Sequence, residues 1–243
     1  MGKKVARHPL FGTTYALSKA PSEDALEDEY YGNLSRAWLD TTPQEKQAGR
    51  HWYDEATAHA KTKAVEHNTN PKHPISEQDS FDVLALLNTH NSWKGSVTEH
   101  ENILRAKREG KPFPYALPKP GQKGNDSYVK INRMLWGGED REQFFTDSSP
   151  KITPFRNALG GRRDQLVLDV WGNRTTTGGR KDTLLEGERN AAVRAWGHLM
   201  SDIQNTGDED SDMNVADIQA ALWTREQQRT KTHLIFNSVK GEK

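Results

Sequence analysis

Cysteine is missing from all 243 residues, which excludes a disulfide scaffold, a cysteine nucleophile and any cysteine-ligated zinc or iron–sulfur site. Net charge is missing as well, since 34 basic side chains are matched by 34 acidic ones. That balance argues against a protein that coats nucleic acid through bulk electrostatics, while leaving room for a local basic face. Apolar residues are scarce at 33%, and the 19 glycines raise the total only to about 41%, below the roughly 45–50% of ordinary domains. The mean hydropathy is −0.94. No run approaches the ~18 apolar residues of a membrane span. The opening MGKKVARHPLFG lacks the apolar segment of a signal peptide. These absences predict a cytoplasmic chain with no membrane partner. The phosphate-binding patterns GxxxxGKS/T and GxGxxG are absent too, and the residues call for no cofactor and no metal.

What is present reads as short, well-capped helices. Residues 1–41 show no sustained period and are expected to form an irregular arm, with residues 42–243 as a single all-α domain. Thr42, Pro43 and Glu45 make a helix start with a capping box, followed by Ala48, Trp52, Ala56, Ala60 and Ala64 as an apolar stripe. The stretch Ser80–Asn88 is the most apolar in the chain and is read as a central buried helix. Ser96 with Glu99 predicts a further helix from Val97, stopped at Gly110. A proline-rich loop over 111–126 leads to a helix capped by Ser127, then a short one over Glu139–Phe145. Ser149-Pro150 restarts a helix to about Leu159. The glycine- and threonine-rich residues 172–181 are expected to be mobile. Asp182 begins a helix carrying Leu184, Leu185, Ala192, Val193, Trp196, Leu199 and Ile203, and Asn214 caps the last one.

Two weak patterns are set aside. Asp208, Asp210 and Asp212 alternate as in an EF-hand, but Met213 and Gln219 stand where that loop needs glycine and glutamate, so a solvated acidic loop is expected. His51, His59 and His67 recur every eight residues of one helix and are read as surface histidines. Two patterns remain. Asn88-Thr-His-Asn-Ser-Trp-Lys94 sets polar groups and an indole at the end of the buried helix, either facing a cleft or capping one another. Asp169 lies inside the apolar run Leu166–Trp171. An ionised carboxylate there needs a partner or a helix N-terminus, so it is either a plain N-cap or a carboxylate facing a pocket, where it stabilises a cation or orients water.

Three blocks, in order, resemble the helix–hairpin–helix DNA glycosylase superfamily of the endonuclease III type. Leu84–Asn91 is similar to the buried helix that ends beside the extruded base. Ser149-Pro-Lys-Ile-Thr153 sits where that family has its hairpin and lysine. Leu166–Thr175 is similar to the block carrying the catalytic aspartate. Eighteen residues separate Lys151 from Asp169, the spacing of endonuclease III-type members. The chain departs from the family where Thr146–Pro150 replaces the hairpin glycines and where Val170 and Trp171 follow the aspartate. The chain also resembles small phage proteins, and glycosylase-like folds recur among phage enzymes that elaborate DNA thymines. The resemblance implies a glycosylase-like fold and a nucleic-acid partner, DNA with ordinary or modified bases, in the host cytoplasm if the chain is phage-encoded. It implies Asp169 and Lys151 as catalytic residues, the first stabilising an oxocarbenium-like sugar and the second forming a Schiff base. It places His90, Asn91, Trp93 and Trp171 at the base, and Lys130, Arg133, Arg162, Arg163 and Arg174 on the phosphate backbone. Excision of a base, its modification by transfer on the same fold, and a non-catalytic binding module are the three functions this leaves.

Overall fold

A computed structural model describes residues 5–7, 14–16, 21–88, 92–118, 124–146, 149 and 151–229. Among the described residues its regular structure is helical apart from one small ribbon, in which β1 (Val5–Arg7) pairs antiparallel with β2 (Thr14–Ala16). The helices are α1 (Pro21–Leu39), α2 (Pro43–His67), α3 (Glu77–Leu87), α4 (Trp93–Arg108), α5 (Asp126–Leu135), α6 (Ile152–Leu159), α7 (Val170–Thr176), α8 (Glu186–Thr206) and α9 (Val215–Arg229), with a 3₁₀ turn at Arg141–Phe144. The all-α expectation holds at this level. Contacts group the described residues into two compact units: those up to Tyr53 together with those from Arg162 onward, and Asp54–Gly161. The first part of α2 thus belongs to one unit and the remainder to the other.

In the unit that holds both ends of the described chain, α1 packs along α8, and α7 lies against α1 and α9. Its core includes Tyr30, Leu34, Trp38, Leu166, Leu168, Trp196, Leu199, Ile218 and Leu222. The irregular arm expected over 1–41 is corrected here, because residues 21–39 form a regular helix. Polar side chains on its inner face hide the period. Glu23 and Glu27 are buried and hold Arg194 of α8 at 3.0 and 2.6 Å. The Thr42 capping box forms as expected, with the Thr42 amide donating to Glu45 at 2.8 Å. Ala48, expected inside, is exposed, and Gly49 faces inward instead. A Cβ on Gly49 would lie 2.5 Å from the Ala221 nitrogen and 2.6 Å from the Asp217 oxygen, so glycine lets the backbone of α9 come close. Leu185, also expected inside, is 75% exposed at the start of α8, where Glu188 accepts a hydrogen bond from its amide at 2.9 Å.

Two loops, one expected to be mobile and the other solvated, are built in. The threonines after Asp169 are helical and buried, and the hydroxyls of Thr175, Thr176 and Thr177 each donate to the carbonyl four residues back. The helix closes on Gly178 at φ +63°, whose amide donates to Thr175, while that of Gly179 donates to Arg174. In the acidic loop, Asp210 is buried between Lys46 at 2.5 Å and Arg50 at 3.3 Å.

The other unit is organised on α3, which α4, α5 and α6 all contact. Every residue from Ser80 to Leu87 is buried, as the apolar run predicts. The helix starts earlier than expected, with Ser76 and Asp79 forming its capping box. Likewise α4 begins at Trp93 on an Ser92 cap, because Ser96 is buried inside the first turns, and α5 is capped by Asn125 in place of Ser127. Asp82, fully buried, is held by Arg156 at 2.6 Å and Arg141 at 2.8 Å. The expected surface histidines divide three ways: His51 is exposed, His59 half-buried and His67 buried.

Candidate functional site

Asp169 occupies the N-cap of α7. Its Oδ1 accepts the Gly172 amide at 2.8 Å, and the side chain is buried at 8% exposure. The run before it must be apolar to pack in the core, and the first free amides of α7 give its carboxylate a positive end to face. The segment is held from the side by Gln219 of α9, fully buried, whose Oε1 accepts the Val167 amide at 2.9 Å and whose Nε2 donates to the Val167 carbonyl. A Cβ on Gly172 would come within 3.0 Å of that amide nitrogen and 3.4 Å of Asp169 Oδ1, so any larger residue at this helix start would press on the Gln219 clamp. Tyr53, buried at the end of the unit's share of α2, lies within the field of the same group. Burial first, then the charges of Asp169 and Asp217, raise its phenol well above the usual tyrosine range. Gln219 and Tyr53 are the neighbours that sequence reading missed.

Lys151 belongs to the other unit. It precedes α6, and its Nζ donates to the Asn88 carbonyl at 2.6 Å, where α3 ends. The lysine and the C-terminal end of α3 are thereby brought together. His90 and Asn91 lie outside the described residues. Trp93 is buried in the first turn of α4, so its indole packs inside the unit and offers little face for stacking. Trp171 is half-buried, with the Arg174 guanidinium over its ring at 5.0 Å.

The expected phosphate contacts are mostly engaged with carboxylates. Arg133 grips Glu139 at 2.7 and 2.6 Å, Arg174 grips Asp182 at 2.6 and 3.1 Å, Lys130 pairs with Asp126 at 2.8 Å, and Arg163 lies 3.9 Å from Asp217. Arg162 is exposed and pairs with no carboxylate among the described residues.

A separate cluster of acidic and imidazole groups lies where α2 ends beside α4. Glu66, His67 and Glu101 offer ligand atoms within 4.8 Å of one another. Lys63 already stands between the two carboxylates, at 2.6 and 3.1 Å, and Arg105 reaches Glu101 at 3.2 Å. Burial works to raise the Glu101 carboxyl, but Lys63, Arg105 and His67 outweigh it and bring it down to about 2. The cluster is a charge-compensated network that fastens α4 to α2.

A family of unknown function, DUF7178, matches residues 18–230. No curated protein and no solved structure matches the chain.

Proposed function

We propose that this chain, which belongs to the family of unknown function DUF7178, is a DNA glycosylase-like enzyme that acts at the N-glycosidic bond, or on the nucleobase, of ordinary or modified DNA. The observation that carries the reading is the buried Asp169 carboxylate, fixed by the Gly172 amide at the start of α7 and backed by the Gln219 clamp. A carboxylate desolvated in this way stabilises positive charge growing on a sugar more strongly than one in water, because the local field is less screened. Asp169 in this reading faces the anomeric carbon as the bond to the base breaks. Lys151, in the other unit, is the candidate nucleophile of a separate Schiff-base reading, once its ammonium has lost a proton.

The test compares wild type with Asp169→Asn for base release, or mass change, on ordinary and phage-type modified DNA. Asparagine caps a helix as well as aspartate, so the fold is retained while the charge is removed. The expected result is a loss of at least about a hundredfold in rate. Two proteins inert on every substrate, or equally active, would overturn the enzyme reading. Borohydride trapping on DNA checks Lys151 separately, and the absence of an adduct assigns the chemistry to Asp169 alone.

One observation favours a second reading, a non-catalytic binding module. Asp169 satisfies an N-cap without further chemistry, and four of the five expected phosphate-binding cations are held by carboxylates.

A further inference from the structure

Asp169 is held at its carboxylate, its carbonyl and its amide, and one side chain of α9 bears on two of these holds. The carboxylate accepts the Gly172 amide at 2.8 Å, and the backbone carbonyl accepts the Asn173 amide at 2.8 Å. The Asp169 amide donates to the Val167 carbonyl at 2.9 Å, closing a three-residue turn over Leu168. That carbonyl is also the one to which Gln219 Nε2 donates, while Gln219 Oε1 accepts the Val167 amide at 2.9 Å. The same Nε2 lies 3.0 Å from where a Cβ on Gly172 would stand. Gln219 therefore touches the turn that precedes the aspartate and the residue whose amide holds its carboxylate.

The chemistry of this hold calls for glutamine. A primary amide presents a donor and an acceptor side by side, matching the N–H and C=O of one residue as a neighbouring strand would. Glutamate lacks the donor, and asparagine is one methylene shorter. Gln219 is fully buried, so losing either bond would strand a backbone group away from water. An N-cap by itself needs only the Gly172 amide. The grip on Val167 is additional, and it comes from a helix 52 residues away in the chain. We propose that Gln219 is the positioning residue of this site, setting the direction in which the Asp169 carboxylate points. Its consequence for catalysis rests on the glycosidic reading, whereas its hold on the carboxylate does not.

The test uses Gln219→Met in the full chain, which keeps the length of the side chain and removes both hydrogen bonds. Hydrogen exchange at the residue 172 amide and the carbon-detected titration of the Asp169 carboxyl are measured by NMR. Rates of base release are measured on a DNA that the wild type turns over. The amide should exchange about tenfold faster or more. The carboxyl midpoint should rise by about one pH unit, because a loosened N–H bond favours the charged form less. The kcat should fall about tenfold or more at unchanged KM, the mark of a misdirected group in a site that still binds. Should that variant lose its fold, Gly172→Ala presses the same clamp from its other side with a residue that favours helix, and the same changes are expected. Wild-type exchange and titration in a folded variant would overturn the proposal. Wild-type kcat with altered resonances would reduce Gln219 to a structural brace and overturn it as well. A wild type inert on every DNA defeats the glycosidic reading by itself, and the two NMR measurements still decide whether Gln219 aims the carboxylate.

Discussion

His100 is fully buried at the meeting of α4 with α2 and α3, and its hydrogen bonds fix which form it takes. Ser80 Oγ donates to the Ala60 carbonyl at 2.7 Å, so the contact of 2.8 Å between His100 Nε2 and that oxygen must be donated by the imidazole. Nδ1 then carries the lone pair, and it has no partner among the described residues. A proton placed there would be a buried charge with no acceptor, which is expensive. Burial, with the nearby His59, His67 and Lys63 adding and Glu101 opposing, lowers the group from 6.5 to about 3. Because a folded imidazole near 3 faces an unfolded one near 6.5, the unfolded chain binds the extra proton between those values. Stability from the neutral ring is complete above pH 6.5 and falls as the pH drops toward 3, by up to about 1.4 kcal/mol per pH unit. Urea midpoints measured from pH 7 to 4.5 should show this slope, and His100→Gln should flatten it. The Glu101 carboxyl, with its ordinary value of 4.5, contributes only toward the acid end of that window. His59, which burial also lowers, adds a slope of the same sign that remains in the variant. An unchanged slope would therefore assign the acid sensitivity to groups other than His100.

At the scale of elements, Gly49 separates helix propensity from packing. Alanine at an exposed helix position gains up to about 1 kcal/mol over glycine. Here the added methyl would meet backbone atoms of α9 at 2.5 and 2.6 Å, and backbone cannot swing aside as a flexible side chain does. Gly49→Ala should therefore destabilise the chain by about 1–3 kcal/mol in urea unfolding, and a stabilised variant would contradict the close approach of α2 and α9. The same position shows what the sequence could convey. The four-residue repeat placed Ala48 inside, but a helix turns every 3.6 residues, so the stripe drifts and Gly49 takes the inner face. Caps are local, and the Thr42 capping box and the Asn214 N-cap were legible because donor and acceptor lie three residues apart. The N-cap role of Asp169 was legible for the same reason. Gln219 was not, since it reaches Val167 across 52 residues of chain, and only the packed fold joins them. Helix α1 escaped because its buried face carries Glu23 and Glu27, whose partner Arg194 is equally distant in sequence. The threonines of α7 look like a loop by composition, yet each hydroxyl finds a carbonyl one turn back, and Trp196 donates to Thr176 at 2.9 Å.

For the whole molecule, the equality of 34 basic and 34 acidic side chains has a local counterpart in how the cations are spent. Binding to duplex DNA depends on salt because each phosphate neutralised by a protein cation releases condensed counterions, with log K falling by about 0.9 per contact for each unit of log salt. Of the five cations expected on the backbone, Lys130, Arg133, Arg163 and Arg174 each lie by a carboxylate, and Arg162 pairs with none among the described residues. A cation that remains with its carboxylate presents a nearly neutral pair to the phosphate and displaces few ions. Exposed pairs are weak, of the order of 1 kcal/mol or less, so the outcome depends on whether DNA offers enough to separate them. The arrangement predicts that it does not. Fluorescence anisotropy on a duplex across a range of potassium chloride concentrations should give a slope near −1 for these five positions, and Arg162→Ala should reduce it toward zero. A slope near −4 or steeper, reduced by about one for each of Lys130→Ala, Arg133→Ala, Arg163→Ala and Arg174→Ala, would mean that the pairs open onto the backbone. The carboxylates would then act as placeholders for phosphate, and charge neutrality would reflect an interface closed upon itself until DNA arrives.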